Sequence, residues 1–310
     1  MAPTQKLSDQ LTYLKRKQAL LETYSTLAAQ EGYVLFEPED FQSYDRFKRI
    51  NARIAPQDMV KVTDTGGEVL ILRPDVTSQV IDRLIPKWDG KNALKLYYDT
   101  TIFTHRENGI ESKRQFGVEN ISNDYAEADK ATLSLATRLL NESATDYMLE
   151  LGNQRFLNAL FDALDVSGEA LDNLKNIITY KNAYEMKRFI EREPLSPSQR
   201  TILTSLFELE GKLETIEKRL EQLPLDEAMT TAIDELRVLK TFLNGANVAY
   251  DLSMLSQFDY YEGIVFKAYI KDAPTAVLKG GRYAPGGTQA SAIGFSIDIA
   301  PMLKGRDSNE

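Results

Sequence analysis

Residues 69–122 open VLILRPDVTSQVIDRL (Val69–Leu84) and, after a short polar link, run on as KLYYDTTIFTHRENGIESKRQFGVENIS (Lys95–Ser122). Two β-rich runs, Val69–Leu72 and Leu94–Tyr98, flank a short segment that begins with Pro74, Asp75 and Thr77. Pro at a turn followed by Asp and Thr suits a helix start, whose free backbone amides need side-chain acceptors. A third β-rich run, Thr100–Thr104, leads into a charged segment read as a loop, with His105, Arg106, Glu107, Glu111, Lys113 and Arg114. Charged groups between apolar runs are ordinarily solvated decoration. The gathering of Asp75, Thr77, Gln115 and Glu119 beside strand patterns is what points to a site.

On the N-terminal side, Leu7, Leu11, Leu14, Leu21 and Ala28 recur at helical spacing, with Lys15, Arg16, Lys17 and Glu22 between them. That pattern predicts an amphipathic helix laid on a core and ending at Gly32, followed by a short buried strand over Tyr33–Phe36. Residues 40–58 are mixed and read as an irregular or partly helical connection. Met59–Val62 and Val69–Leu72 around Asp64-Thr65-Gly66-Gly67 predict an antiparallel hairpin. On the C-terminal side, Ala126–Asn141 and Gln154–Leu164 read as helices and Tyr147–Leu151 as a strand. From about Ser167 to Gly245 the pattern is helical throughout. One long apolar face there takes in Ile202, Leu206, Leu209, Leu213, Ile216 and Leu220, and Pro194, Pro197 and Pro224 break the segment into pieces. Strand signals return at Asn247–Leu252, Gly263–Ile270, Ala276–Leu278 and Ser291–Ile299. The paired glycines Gly280 and Gly281 mark either a strand end where backbone comes close to a neighbour, or a tight turn.

The fold class that follows is α+β: a mostly antiparallel sheet flanked by helices, without the regular βα alternation of a doubly wound sheet. The expected division is a core over 1–166, an all-helical insertion over 167–245, and the rest of the core over 246–310. A chain of 310 residues suffices for one large core and a smaller unit.

Composition excludes much chemistry. There are no cysteines, so disulfides, thiolate metal sites and Cys nucleophiles are out. The lone histidine, His105, rules out a multi-His metal site and leaves a Ser-His-Asp hydrolase only that residue to depend on. With 37 basic against 46 acidic residues, a net charge of −9 and no basic run, there is no whole-chain footprint for nucleic acid. No apolar stretch approaches the ~20 residues of a membrane span. The N-terminal MAPTQKLSDQ lacks the apolar core of a signal peptide. A soluble, cytoplasmic protein is expected.

Four stretches, in order, resemble the histidyl-tRNA synthetases and cover nearly the whole chain. LRPDVTSQV (Leu72–Val80) resembles their LRPE-x-T segment, and QFGVENIS (Gln115–Ser122) their Q-x-G-x-E segment. FDYYEGIVFKAY (Phe258–Tyr269) resembles the LDYYTG-x-x-F segment of the histidine pocket. LKGGRY (Leu278–Tyr283), followed by AIGFSIDI (Ala292–Ile299), resembles GGRYD and the start of the third class II motif. The resemblance implies a class II aminoacyl-tRNA synthetase-like core with the helical insertion in its expected place.

The departures from that pattern bear on function. Adenylate formation needs cations to hold phosphates as pyrophosphate leaves, and Arg suits this by its fork of donors. Thr104 stands at the Arg position of the second class II motif, with Arg106 nearby as a partial substitute. Ser256 stands for the Arg preceding the family's Gly-Leu-Asp-Tyr-Tyr, and Asp298-Ile299-Ala300-Pro301 replaces the Gly-x-Glu-Arg that ends the third motif. The chain ends at Glu310, where a synthetase is expected to continue into an anticodon-binding domain. The histidine side of the pocket is better kept: Thr77, Gln115, Glu119, Tyr260, Tyr261 and Tyr283 match the family's contacting positions, and Asp75 replaces a Glu. Gly281 and Arg282 of the GGRY segment join that inferred set. A core of this kind resembles most the regulatory subunits of ATP phosphoribosyltransferase. The resemblance implies a non-catalytic partner of the short catalytic subunit in a hetero-octamer, self-association as a dimer, L-histidine as feedback effector, and no cofactor, metal, nucleic acid or membrane. Asp75 and Glu119 are expected at the ammonium end and Tyr260, Tyr261 and Tyr283 around the ring. Two other readings stay open here: a compact histidine-adenylating or aminoacylating enzyme using Arg106 and Arg282, and a tRNA-binding pseudo-synthetase.

Overall fold

The structure, a computed structural model, describes residues 6–51, 54–144, 146–243, 245–256, 261–271, 273–284 and 291–304. Among the described residues, twelve strands and eleven α-helices follow in chain order. The first part holds α1 (Leu7–Gln30), β1 (Val34–Leu35), β2 (Phe41–Ser43), α2 (Tyr44–Ile50), β3 (Lys61–Thr63), β4 (Val69–Leu72) and α3 (Thr77–Gln79). Next come β5 (Leu94–Arg106), β6 (Gly109–Ser122), α4 (Tyr125–Ser143), β7 (Tyr147–Asn153) and α5 (Gln154–Leu164). The helical stretch comprises α6 (Gly168–Thr179), α7 (Ala183–Arg192), α8 (Pro197–Ser205), β8 (Glu210–Gly211), α9 (Leu213–Leu220) and α10 (Glu227–Lys240). The chain closes with β9 (Val248–Asp251), β10 (Tyr261–Ile270), β11 (Leu278–Tyr283), β12 (Ser291–Asp298) and α11 (Ile299–Lys304).

Nine strands form one sheet in the order β1-β5-β6-β12-β11-β10-β7-β9-β8, and β2-β4-β3 form a small second sheet. The large sheet is mixed: β1–β5 and β7–β9 run parallel and the other pairs antiparallel. Its central strands are apolar on the face that the helices cover. Phe116, Val118, Leu149, Leu151, Ile264, Phe266, Ile293 and Phe295 pack with Leu135, Leu139 and Leu140 of α4 and Phe156, Leu157 and Leu160 of α5. The same apolar cluster continues without a break into the helices between residues 168 and 240. Local chemistry sets the helix ends: Asp124 caps α4 by accepting from Glu127 N at 3.1 Å, Asn153 caps α5 through Arg155 N at 3.0 Å, and Asp226 caps α10 through Met229 N at 2.7 Å.

Several expectations from sequence need correction. The charged segment His105–Arg114 is a two-stranded ladder and not a loop: β5 and β6 pair without a break from Leu94↔Ile121 to Arg106↔Gly109, turning on Glu107-Asn108. Gly109 has φ +111°, which suits glycine at a tight hairpin. The strand after α1 is a two-residue edge, with Val34 and Leu35 exposed and only Tyr33 buried. In α1 the buried face is Leu20, Tyr24 and Ala28, while Leu7, Leu11 and Leu14 project outside the core. The long face over Ile202–Leu220 is broken between α8 and α9, where Gly211 has φ +124° and β8 joins the large sheet. Gly280 and Gly281 lie mid-strand in β11, neither at a strand end nor in a turn.

The segment leading to Asp75 is fixed by Arg73, which is buried. Its guanidinium donates to the carbonyls of Pro38 (2.8 Å), Glu39 (2.7 Å) and Thr101 (2.9 and 3.1 Å) and to Asp40 Oδ1 (3.1 Å). Its backbone meets Asp40 O and Phe103 N, each at 2.9 Å. Arg73→Ala leaves three carbonyls without this donor and should destabilise the fold by about 3 kcal/mol or more in urea denaturation, since each buried unsatisfied acceptor costs ~1–3 kcal/mol. Arg73→Lys should recover only part, lacking the planar fork. A loss under ~1 kcal/mol for the alanine variant would show that these bonds are exchanged for water at little cost.

Candidate functional site

One face of the large sheet and the segment from Pro74 to Thr77 enclose a cleft of about 420 Å³. Side chains on a strand alternate between faces. On β6, Lys113, Gln115, Gly117 and Glu119 therefore share the cleft face; on β12, Gly294, Ser296 and Asp298; on β11, Lys279, Gly281 and Tyr283. The register aligns Glu119 with Gly294 and Gly294 with Gly281, and one step along, Gly117 with Ser296 and Ser296 with Lys279.

Glu119 is the floor of this cleft. Thr77 Oγ1 donates to its Oε1 at 2.6 Å and Tyr283 Oη to its Oε2 at 2.9 Å. Burial pushes its carboxyl up from 4.5 to about 7, against the pull of those two hydroxyls and with help from the Asp75 charge. Three glycines make room. A Cβ on Gly294 would collide with Glu119 Oε2, and one on Gly117 with the Tyr98 ring. One on Gly281 would come within 2.8 Å of the Tyr261 ring. The Tyr261 and Tyr283 rings meet edge to face at 6.4 Å. Burial raises the phenols Tyr98, Tyr261 and Tyr283 as well, with the Glu119 charge adding, so they remain protonated donors.

Asp75 enters from the other side. Its Oδ1 accepts from Ser78 N at 2.7 Å, holding the start of α3, while its buried Oδ2 has no hydrogen-bond partner among the described residues. Burial raises its pKa, outweighing the Ser78 amide and hydroxyl and the Asn51 side chain, which lies near the carboxyl without a well-formed hydrogen bond to Oδ2. Gln115 lines the cleft, but its Nε2 is taken by Asp298 Oδ1 at 2.7 Å. Thr104, Arg106 and Lys113 line the mouth; Arg106 and Lys113 share Glu111, at 3.8 and 3.6 Å.

The residues expected from sequence are thus brought together with two exceptions. Tyr260 lies outside the described residues. Arg282 points to the opposite face of the sheet, as alternation between Gly281 and Tyr283 requires. It is buried there in ion pairs with Asp129 and Glu235, its guanidinium over the Tyr125 ring at 5.1 Å. Burial pushes Asp129 up to about 6, against the Arg282 bonds. Sequence reasoning missed Tyr98, Lys279, Gly294 and Asp298. Reading LKGGRY and SAIGFSID with a period of two would have put Lys279, Gly281 and Tyr283, then Gly294, Ser296 and Asp298, on one face. Among the described residues no His, Cys, Asp and Glu group is placed to hold a metal ion, and no helix is long and apolar enough to cross a membrane.

A mixed, largely antiparallel sheet carrying an acid, hydroxyl and tyrosine cleft on one face and helices on the other is the class II synthetase-like fold. The family model for histidyl-tRNA synthetase matches residues 11–302, and the chain belongs to that family. Its relatives include the ATP phosphoribosyltransferase regulatory subunit of Caldanaerobacter subterraneus subsp. tengcongensis, 26% identical over 88% of this chain and 74% of that one. The protein of the same name from Clostridium botulinum strain 657 is 30% identical over 84% of this chain and 65% of the relative. Among solved structures, an ATP phosphoribosyltransferase regulatory subunit/histidyl-tRNA synthetase from Bacillus halodurans superposes with a TM-score of 0.84 at 24% identity, covering 94% of this chain and 79% of that one. The ATP phosphoribosyl transferase (HisG:HisZ) complex from Thermotoga maritima contains a chain that matches with a TM-score of 0.72 at 16% identity, over 90% and 96%. At these identities the structures establish the fold.

The buried acids impose a pH dependence. Between about pH 4.5 and 7 folded Glu119 holds a proton that the unfolded chain has released, so its contribution is full below that window and is lost as pH rises through it. Asp129 acts in the same sense between 3.8 and about 6. Stability in urea should therefore fall from pH 5 to pH 8, with Glu119 contributing ~3 kcal/mol of that fall. Glu119→Gln should flatten the profile by that share. A profile of unchanged slope in the variant would rule out Glu119 as its source.

Proposed function

We propose that the chain is the regulatory, non-catalytic subunit of ATP phosphoribosyltransferase, the first enzyme of histidine biosynthesis. In this reading it activates the short catalytic subunit, assembles with it in a hetero-octamer through its own dimer, and carries L-histidine as the feedback effector. The names of the curated relatives and the HisG:HisZ complex support the regulatory role. The observation that carries the histidine reading is the unpaired Asp75 Oδ2 in a cleft lined by Thr77, Tyr261 and Gln115 and floored by Glu119 and Tyr283. A buried carboxylate oxygen without a donor is costly and calls for a cationic or N–H donor from a ligand. The ammonium of histidine supplies one at Asp75, and the aromatic walls suit its ring.

The enzyme reading needs cations for ATP. Thr104 stands where an Arg is needed, and Arg282 is buried and ion-paired on the other face, so neither serves. In the regulatory reading histidine binds the more and the less active arrangements of the complex unequally, because equal binding shifts nothing. A coupling of ~1–3 kcal/mol is enough for feedback control.

Mixing the chain with a short catalytic subunit should raise the rate of phosphoribosyl transfer, and histidine should suppress it. Asp75→Ala should leave activation intact and raise the histidine needed for half inhibition by ~10-fold or more, the loss of a charge-assisted bond being ~1.5–3 kcal/mol. No rate change on mixing would reject the regulatory role. Unchanged histidine sensitivity would reject the pocket. Histidine-dependent ATP–pyrophosphate exchange above background would revive the enzyme.

A further inference from the structure

The cleft carries an acidic end and a basic end. Asp75 and Glu119 form the first. At the second, Arg106 and Lys113 share Glu111, and Gln115 is engaged with Asp298. Lys279 is the cation lining the cleft that makes no ion pair or hydrogen bond among the described residues. Its place is unusual: it stands on β11 with the parity of Gly281 and Tyr283, beside Ser296 on one neighbouring strand and Lys267 on the other. Burial lowers its pKa. Asp298 opposes that, while Lys267, Lys113 and Arg106 add to it. The residue is exposed on its strand at the cleft, so its ammonium is open to an arriving anion, which would offset the like charges beside it.

We infer that Lys279 is the anchor for the carboxylate of the effector, so that the site takes a free α-amino acid with both its amine and its carboxylate unblocked. This rests on the histidine reading above and adds to it the residue that selects for the effector's carboxylate. Asp75 and Lys279 line the same cleft, with Lys279 two residues, about 7 Å, along the strand from Gly281, and the four-carbon lysine stem is flexible. A lone ammonium suits one carboxylate. The mouth as a whole is too nearly neutral for a polyanion, because Asp58 and Asp298 line the same cleft as Arg106, Lys113 and Lys279.

The test is direct binding of L-histidine and of L-histidinol, in which the carboxylate is replaced by CH2OH, to the full chain by titration calorimetry. The intact chain should prefer histidine by ~10-fold or more, which is ~1.4 kcal/mol. Lys279→Gln should lose that preference by weakening histidine while leaving histidinol unchanged, and Lys279→Arg should restore it. Lys267→Gln, the same change of charge one strand away and outside the cleft lining, should keep the preference. Equal binding of the two ligands to the intact chain would overturn the assignment of Lys279 and leave the histidine pocket standing. So would a Lys279→Gln variant that weakens both ligands alike. No binding of either ligand to the intact chain would remove the pocket and this inference together.

Discussion

A carboxyl group sunk into the face of a nine-stranded sheet constrains everything around it. Leaving Glu119 ionised and bare there would cost several kcal/mol, so its two oxygens must meet donors. They do, at Thr77 and Tyr283, which come from opposite ends of the chain's core. The carboxyl also needs volume, and Gly294 supplies it on the adjacent strand. Thr77 can reach Glu119 only if the Pro74–Thr77 segment is held over the sheet. That is the work of Arg73, whose guanidinium binds two successive carbonyls of the Pro38–Glu39 connection and one of β5. Position of the site is thus set by buried polar bonds, and the apolar core supplies the platform.

The parity of β11 carries a second consequence. Tyr283 must face Glu119, so Arg282 must face away, into the helices. There it meets Asp129 of α4 and Glu235 of α10, and Glu235 also holds Arg155 of α5 at 2.5 Å. Strand β11 is therefore tied on one face to the cleft and on the other to the helical stretch through a buried ion cluster. Removing Arg282 would leave Asp129 buried without its partner, which is costly.

How far the sequence reveals this differs by feature. Helices α4 and α5 are legible from periodicity, because each buries a regular face: α5 spans the expected Gln154–Leu164. The motifs place Thr77, Glu119, Tyr261 and Tyr283 together, and the fold does the same. The β5–β6 hairpin is hidden by its own charges. Arg106, Glu111 and Lys113 sit on strands whose far ends leave the core, where water solvates them and alternation no longer reports burial. Asn108-Gly109 was the surviving signal. Arg282 illustrates a different limit: a motif names neighbours in sequence, while a strand sends consecutive side chains to opposite faces. The overhang of Leu7, Leu11 and Leu14 is beyond any periodicity argument, since helical spacing defines a face without saying what covers it.

The charge arrangement also separates two chemistries that share this scaffold. Activation of an amino acid by ATP brings a triphosphate beside the carboxylate and asks the protein to neutralise both. In this cleft the acids are Asp58, Asp75 and Asp298 in the lining and Glu119 beneath it. Against them stand Arg106 and Lys113, both committed to Glu111, and Lys279. Opposed charges in a half-buried cleft attract by a few kcal/mol at short range, and like charges repel as strongly. An ammonium and a carboxyl group lining one cleft match a zwitterion in sign. A triphosphate would meet a deficit of cations at every step of its approach. Asp298 deepens that deficit, since it stands at the start of the stretch that replaces the third motif's Gly-x-Glu-Arg and takes up the Gln115 amide. Set against that motif, Asp298 stands for Gly, Ala300 for Glu and Pro301 for Arg, so the stretch keeps one acid, moved to the start of the segment, and loses its cation.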